Sequence, residues 1–318
     1  MSGSFVTLGR PLVSVIMNCL NGEAYLREAI ESVLAQTYRN VEIIFYDNAS
    51  TDDSAAIAQS YGEPVRYFRG EQTIPLGAAR NAAIAQAKGD LIAFLDTDDR
   101  WLPLKLEMQL KRFSECPEAD FCYTNCHVLD AASGRMHLGF RGPQPEGDVF
   151  RAFLRYYPVN LQTVMVRKSA LDRLGALFDA DLHVSEEYDL FIRLLYRSKA
   201  CYLTASTAIY RIHGNMASLR QIEKYPVENS RVLAKLRDMV PGLDREYQDE
   251  VAYLEAKIGY WYAAAHMHKG ERLSARRALR PYIGRGMVFA GLFLATFLPV
   301  GVWRLLQRMR PYLRFTWA

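Results

Sequence analysis

The sequence predicts an α/β domain built on a mostly parallel sheet flanked by helices, with a helical extension after it. Three observations lead there. Short β-rich apolar runs alternate with helically spaced apolar residues over the first hundred positions. Three of those runs end directly in polar or acidic clusters. Beyond Gln221 the apolar spacing is helical only, through roughly Tyr282. Strands that alternate with helices make a parallel, doubly wound sheet, and ligands bind outside the carboxyl ends of such strands.

Leu12 to Met17 reads as a buried strand ending at Asn18. Tyr25, Leu26, Ala29, Ile30, Val33 and Leu34 recur at helical spacing, with Asn21 as the expected N-cap. Val41 to Tyr46 is a second buried strand and runs into Asp47-Asn48-Ala49-Ser50-Thr51-Asp52-Asp53, a polar cluster that caps a helix stopping near Gly62. Val65 to Phe68 is a third strand, Gly77 to Ala87 an Ala-rich helix closed by Gly89, and Leu91 to Leu95 a fourth strand. Phe121 to Val128 and Thr163 to Val166 read as strands, with a turn around Gly134 between them. Ser169 starts a short helix, Glu187 to Leu195 has helical spacing, and Ala208 to Ile212 reads as a last short strand.

A chain of 318 residues, half of them apolar, holds one large core and a smaller helical appendage. The net charge is only +4, but Arg272 to Ala318 carries nine Arg and no Lys, Asp or Glu. Such asymmetry points to an anionic surface. Gly286 to Trp303 has 18 uncharged residues, interrupted by Pro299 and several Gly. An interfacial or re-entrant helix, with Arg304 to Arg314 on lipid headgroups, fits this better than a full span, and a buried core helix is the third reading. Nucleic acid is not the expected partner, because basic and aromatic residues do not interleave on a recognised module. Five scattered cysteines do not make a disulfide framework, and Met1 to Arg10 does not read as a signal peptide. The expected location is therefore cytoplasmic, peripheral at the inner face of the plasma membrane.

The sharpest local signal is Asp96-Thr97-Asp98-Asp99, directly after a buried strand. Three carboxylates within four residues repel one another unless a cation joins them, so the turn suits Mg²⁺ or Mn²⁺ completed by a nucleotide diphosphate. A helix N-terminus with acids in its first turn is the plainer reading of the same residues. Cys122, Cys126 and His127 resemble a metal cluster, but a strand would turn His127 to the face opposite the two thiols.

The motifs extend well beyond that turn. Val13-Ser14-Val15-Ile16-Met17-Asn18-Cys19-Leu20-Asn21-Gly22 is followed by Ser32-Val33-Leu34-Ala35-Gln36-Thr37 and Asp47-Asn48-Ala49-Ser50-Thr51-Asp52. Gly77-Ala78-Ala79-Arg80-Asn81 and Phe94-Leu95-Asp96-Thr97-Asp98-Asp99 come next, then Glu186-Glu187-Tyr188-Asp189-Leu190 with Arg193, and Tyr210-Arg211-Ile212-His213. In order and spacing these blocks resemble the family 2 glycosyltransferases with the GT-A fold, a Rossmann-like architecture, over about residues 11 to 218. The resemblance implies an inverting, metal-dependent transfer from a UDP- or dTDP-sugar to an acceptor hydroxyl, with a lipid-linked saccharide as acceptor in bacterial surface polysaccharide synthesis. It implies that Asn18 and Asn21 line the base, that Asp47 reads the base imide, and that Arg80 contacts the nucleotide. Asp96 resembles the ribose-side member of the DXD motif and Asp98 its metal ligand. Asp99 and Arg211 support them. Glu187 stands at the general base, with Glu186 as substitute or acceptor holder, and His213 at a metal- or diphosphate-facing position.

Several positions depart from the family pattern. Asn18 replaces a frequent Pro, Leu20 a frequent aromatic residue, Asn48 a frequent Asp and Ala49 a frequent Gly. Glu187 replaces the usual Asp and adds one methylene to the base. That change motivates a rival reading, a degenerate transferase serving as a membrane-bound assembly partner. A nucleotidyltransferase is the other rival, but Asn18 to Glu23 lacks a basic triphosphate loop. The expected organisation is a catalytic domain over residues 1–220, a helical extension over 221–283, and a membrane-associating tail over 284–318.

Overall fold

The structure, a computed structural model, describes residues 10–214, 216 and 220–303. The chain divides into two compact units. The first runs through Val149 and includes Val159–Asp181 and Arg193–His213; the second comprises Phe150–Pro158, Leu182–Ile192 and the chain from Gly214 on.

In the first unit, β1 (Val13–Cys19), β2 (Val41–Asp47), β3 (Val65–Arg69) and β4 (Leu91–Phe94) pair in parallel, in the spatial order β3-β2-β1-β4. All seven residues of β1 are buried, as expected of a central strand covered on both faces. α1 (Glu23–Leu34) inserts Leu26, Ala29, Ile30 and Val33 at helical spacing into the core under β1 and β2. α2 (Ser54–Gln59) follows β2, and α3 (Leu76–Ile84) packs on β1 and β2. Gly89, just before β4, passes so close to β1 that a Cβ would stand 2.6 Å from the Leu12 carbonyl and 2.7 Å from Ser14 Oγ. That contact requires glycine there.

Beyond β4 the sheet is mixed. β5 (Arg100–Trp101) and α4 (Lys105–Glu115) lead to β6 (Ala119–Asp130), with β7 (Met136–Leu138) hairpinned on it. The short helix α5 (Phe150–Arg155) belongs to the second unit. β8 (Met165–Arg167) runs antiparallel to both β4 and β6, and precedes α6 (Lys168–Leu174). After α7 (Glu186–Leu195), β9 (Lys199–Ile212) lies parallel to β6, and β5 closes the edge antiparallel to it. β9 has 14 residues, where the sequence pattern marks only its last five. Against the consecutive residues Thr124, Asn125 and Cys126 of β6, β9 steps from Leu203 to Ser206 to Ala208, and these extra residues break its own alternation. Cys122 and Cys126 are buried free thiols and His127 is only partly buried, as a strand requires.

The second unit is helical: α8 (Lys224–Met239), α9 (Leu243–Glu246), α10 (Gln248–His268), α11 (Arg272–Leu279), a 3₁₀ turn at Arg280–Arg285 and α12 (Met287–Ala295). Tyr260, Ala263, Ala264 and Met267 of α10 form a core with Ala275, Leu279, Phe289 and Trp303. The stretch 286–303 is therefore divided. Phe289, Thr296 and Trp303 are buried, while Met287, Leu294, Phe297, Leu298 and Val302 are exposed. Among the described residues no helix is long and apolar enough to cross a membrane. Arg304 to Arg314, read as headgroup contacts, lies outside the described residues.

Candidate active site

The parallel register brings three strand ends to one edge. Cys19 pairs with Asp47, and Ile16 pairs with Phe94, so the chain segments after β1, β2 and β4 emerge side by side. The loop after β1 is fastened to the loop after β2. The Asn21 and Gly22 N–H groups donate to Ser50 Oγ and Ser54 Oγ, both at 3.0 Å. The Asn21 Oδ1 accepts the Thr51 N–H at 2.8 Å. Asn21 has φ +56°, a left-handed conformation that Asn tolerates, and Gly22 rather than Asn21 occupies the N-cap of α1. The Glu23 N–H, one of the helix's orphan donors, is satisfied by Asp52 Oδ2 at 3.0 Å. Burial works against the charge on Asp52, yet hydrogen bonds from Ser54 and from the Glu23 and Ser54 N–H groups hold its carboxyl below the usual range.

Asn18, at the end of β1, is 9% exposed, and its Nδ2 has no hydrogen-bond partner among the described residues. A buried amide donor left unpaired costs about 1–3 kcal/mol, so its presence calls for a ligand or water. Asp47 is different. It is fully buried, Oδ1 accepts the Ser50 N–H at 2.8 Å, and Oδ2 accepts Tyr67 Oη at 2.6 Å and Arg69 Nη1 at 2.7 Å. Arg69 also reaches the Ser50 carbonyl at 2.9 Å. Asp47 thus organises the β2 loop, and would read a base only by exchanging one of these partners. Tyr67 and Arg69 carried no signal in the sequence beyond their place on β3.

The acidic turn follows β4. Asp96, Asp98 and Asp99 each offer an oxygen, all within 4.8 Å of one another. Arg80, buried on α3, donates from Nη2 to Asp96 Oδ1 at 3.0 Å and lies over the Phe178 ring at 5.4 Å. His213 Nε2 lies 2.9 Å from Asp98 Oδ2. Arg211 pins the turn from β9. Its N–H donates to Asp99 Oδ1 at 2.7 Å, its Nε to the Asp98 carbonyl at 2.8 Å and its Nη2 to Glu28 Oε2 at 2.5 Å, above the Tyr25 ring. Glu28 and Tyr25, both on α1, had no motif to mark them. Asp96, Asp98, Asp99, Arg80, Arg211 and His213 thus meet in one constellation, and Asn18 stands beside it at the end of the neighbouring strand.

These residues fit a hard divalent ion. Burial, and then the charge of Asp96, raise the Asp98 carboxyl above its usual value, against the hydrogen bond from His213. A site that makes its own carboxylate costly to ionise gains most from a cation. Arg80 takes up one oxygen of Asp96 and His213 one of Asp98, so the other carboxylate oxygens of these two acids are the ligand atoms in question.

Glu186 and Glu187 open α7 in the second unit. Glu186 is buried. Burial, and then the charges of Glu187, Glu186 and Glu228, push the Tyr225 hydroxyl up to about 12.

The family profile described as glycosyl transferase family 2 matches residues 14–175. An uncharacterized glycosyltransferase of Rickettsia typhi is 31% identical over 262 residues, covering 79% of this chain and 81% of that protein. The UDP-Glc:alpha-D-GlcNAc-diphosphoundecaprenol beta-1,3-glucosyltransferase WfaP of Escherichia coli is 30% identical over 228 residues, 71% of this chain and 86% of that protein. Among solved structures, S. aureus TarS 1-349 aligns with a TM-score of 0.64 at 17% identity, covering 90% of this chain and 80% of that one. Its complex with UDP-GlcNAc aligns at 0.56 and 17%, covering 84% and 88%. The mannosyltransferase PcManGT of Pyrobaculum calidifontis, in complex with GDP-Man and Mn²⁺, aligns at 0.62 and 17%, covering 95% and 85%. At such identities the likeness establishes the fold, which is GT-A. Half the chain lies within the family profile and a relative aligns over most of both lengths, so this protein belongs to glycosyl transferase family 2.

Proposed function

We propose that the chain is an inverting glycosyltransferase that moves a sugar from a UDP- or dTDP-sugar to a hydroxyl of a lipid-linked saccharide. The observation that carries the donor half is the acidic turn, three carboxylates within 4.8 Å of one another beside the unpaired Asn18 amide. Two relatives support the choice of substrates: WfaP is named for a UDP-Glc donor and a diphosphoundecaprenol-linked acceptor, and TarS has been solved with UDP-GlcNAc. PcManGT, solved with Mn²⁺, supports the metal.

In this reading Asn18 and Asn21 line the base, Asp47 reads its imide after exchanging a partner, and Arg80 and Asp96 hold the ribose side. Asp98, with Asp96 and His213, would hold Mg²⁺ or Mn²⁺, whose charge neutralises the departing diphosphate. Asp99 and Arg211 keep the turn in place. The acceptor oxygen attacks the anomeric carbon as the bond from that carbon to the diphosphate breaks. The electron pair leaves with the diphosphate, and the acceptor proton passes to Glu187. Such a base contributes roughly 10²–10⁴-fold. Glu186 holds the acceptor or substitutes as base. The chain would work as a peripheral protein at the cytoplasmic face of the plasma membrane, where the Arg-rich, acid-free segment after residue 271 meets anionic lipid.

A donor screen that follows nucleoside diphosphate release tests this directly, with Glu187→Gln as the control. One donor should yield UDP or dTDP, and the variant should bind nucleotide but lose transfer. An equally active variant removes Glu187 as base. Release of pyrophosphate would mean a nucleotidyltransferase, and nucleotide binding without turnover of any donor a non-catalytic partner.

A further inference from the structure

The second unit contains a buried carboxylate that the proposed chemistry leaves unused. Glu228, in the second turn of α8, is buried. Its Oε1 accepts the His183 N–H at 3.0 Å, and its Oε2 accepts the Val184 N–H at 2.9 Å and the Ser185 N–H at 3.0 Å. Those three residues lead directly into α7, whose first two residues are Glu186 and Glu187. The His183 ring Nδ1 lies 3.3 Å from Glu228 Oε1. One residue further along α8, Asn229 Nδ2 donates to Ser185 Oγ at 3.2 Å and to the Tyr225 carbonyl at 2.8 Å. Lys235 Nζ pairs with the buried Asp189 of α7 at 3.0 Å.

A run of consecutive N–H groups turned to one side makes a concavity that binds anions. Here the anion is a side chain from more than 40 residues downstream, so the backbone path into α7 is set by α8. We infer that Glu228 is a positioning residue: by holding the N–H groups of 183–185 it fixes where α7 starts, and so where the Glu187 carboxylate stands. This rests on the reading of Glu187 as the base. Glu187 is one methylene longer than the family's usual Asp, so the start of its helix must be set to match if the carboxylate is to reach the same point. A misplacement of about 1 Å can cost on the order of 10²-fold in rate.

The test compares Glu228→Ala, Glu228→Gln, Glu187→Gln and the Glu187→Gln/Glu228→Ala double variant in the full chain. kcat, acceptor KM and UDP–Mn²⁺ affinity are measured for each. The expected result for Glu228→Ala is a fall in kcat of about 10²-fold, with nucleotide affinity and acceptor KM within about twofold. Glu228→Gln, which keeps one acceptor oxygen, should lie between it and the native protein. The double variant should be no slower than Glu187→Gln, because two residues acting through one group are not additive. If Glu228→Ala does not fold, Glu228→Gln carries the test, and an unchanged kcat overturns the inference. So does a loss of nucleotide affinity in step with kcat, which marks a merely structural role. An active Glu187→Gln instead overturns the base assignment, and the inference with it, in a separate arm.

Discussion

The Asn18 amide and the Asp47 carboxylate sit at neighbouring strand ends, yet differ in what they offer a ligand. Asn18 keeps a buried, unpartnered donor, whereas both oxygens of Asp47 are engaged. Residue type alone ranks Asp47 first, since nothing near it in sequence announces Tyr67 and Arg69. Ala49 shows the reverse case. The family pattern places glycine there, and φ is +61°, a conformation that costs an L-residue about 1–2 kcal/mol. The pattern was legible and its reason is steric. Lys105 was not legible at all. It is fully buried, donates to Gln109 Oε1 at 2.5 Å and stands 4.3 Å from the Trp101 ring centre. Burial pulls its ammonium down to about 7. Between that value and the unfolded value near 10.4, the unfolded chain binds the extra proton, so stability rises with pH. The slope contributed is at most about 1.4 kcal/mol per pH unit. Thermal melts from pH 7 to 9 should show this rise in the native protein and a flatter profile in Lys105→Met. Equal slopes would mean that Lys105 keeps its proton.

Among the elements, the strands of the first half are the most legible, because β1, β2 and β4 are mostly apolar and mostly buried. β5 and β7 are too short to carry a period, and the extra residues within β9 hide its beginning. What the sequence could not supply is how the loops touch. Gly22 follows β1 with an ordinary φ of −106°, so its backbone accepts any residue. Space does not: a Cβ there would stand 2.7 Å from Thr97 Oγ1 and 2.9 Å from Cys19 Sγ. Thr97 lies between Asp96 and Asp98, so Gly22→Ala should push the acidic turn out of place. The expected loss in UDP–Mn²⁺ affinity is about tenfold, or ~1.4 kcal/mol. Gly142→Ala, with no atom within 4 Å of the added Cβ, is the control. Equal affinity in both variants would show that the β1 loop and the acidic turn are not coupled.

For the molecule as a whole, composition pointed to an anionic partner, and the described structure narrows where it would bind. α12 is apolar on all sides, and such a helix is ordinarily buried. Only one side of it is: Phe289 turns inward, while Met287, 92% exposed, and Leu294, seven residues on, lie on the outer side, and Leu298 is exposed just beyond the helix. Arg277, Arg280 and Arg285 are exposed in the segments just before it, and Arg276 lies 3.8 Å from the ring centre of the exposed Phe297. Apolar side chains flanked by arginines suit an anionic bilayer surface, at about 1 kcal/mol per Arg. Deleting residues 284–318 would also remove Phe289 and Trp303 from the core, so substitutions on the outer side are the cleaner test. Met287→Glu/Leu294→Glu should abolish cosedimentation with phosphatidylglycerol vesicles while UDP binding persists. Unchanged cosedimentation would exclude this side of α12 as the contact. The helical character of this region was legible in the sequence. Its division into a packed and an outward side was not, because periodicity vanishes when every residue is apolar.

The acidic turn is the place where a divalent ion would join the protein to a nucleotide diphosphate. Calorimetric titration of UDP into the full chain, with and without Mn²⁺, for the native protein and for Asp98→Ala, addresses it most directly. Binding should require Mn²⁺ and fall by at least about 10²-fold, ~2.7 kcal/mol, in the variant. Binding of equal strength in both proteins, or without the ion, would contradict it.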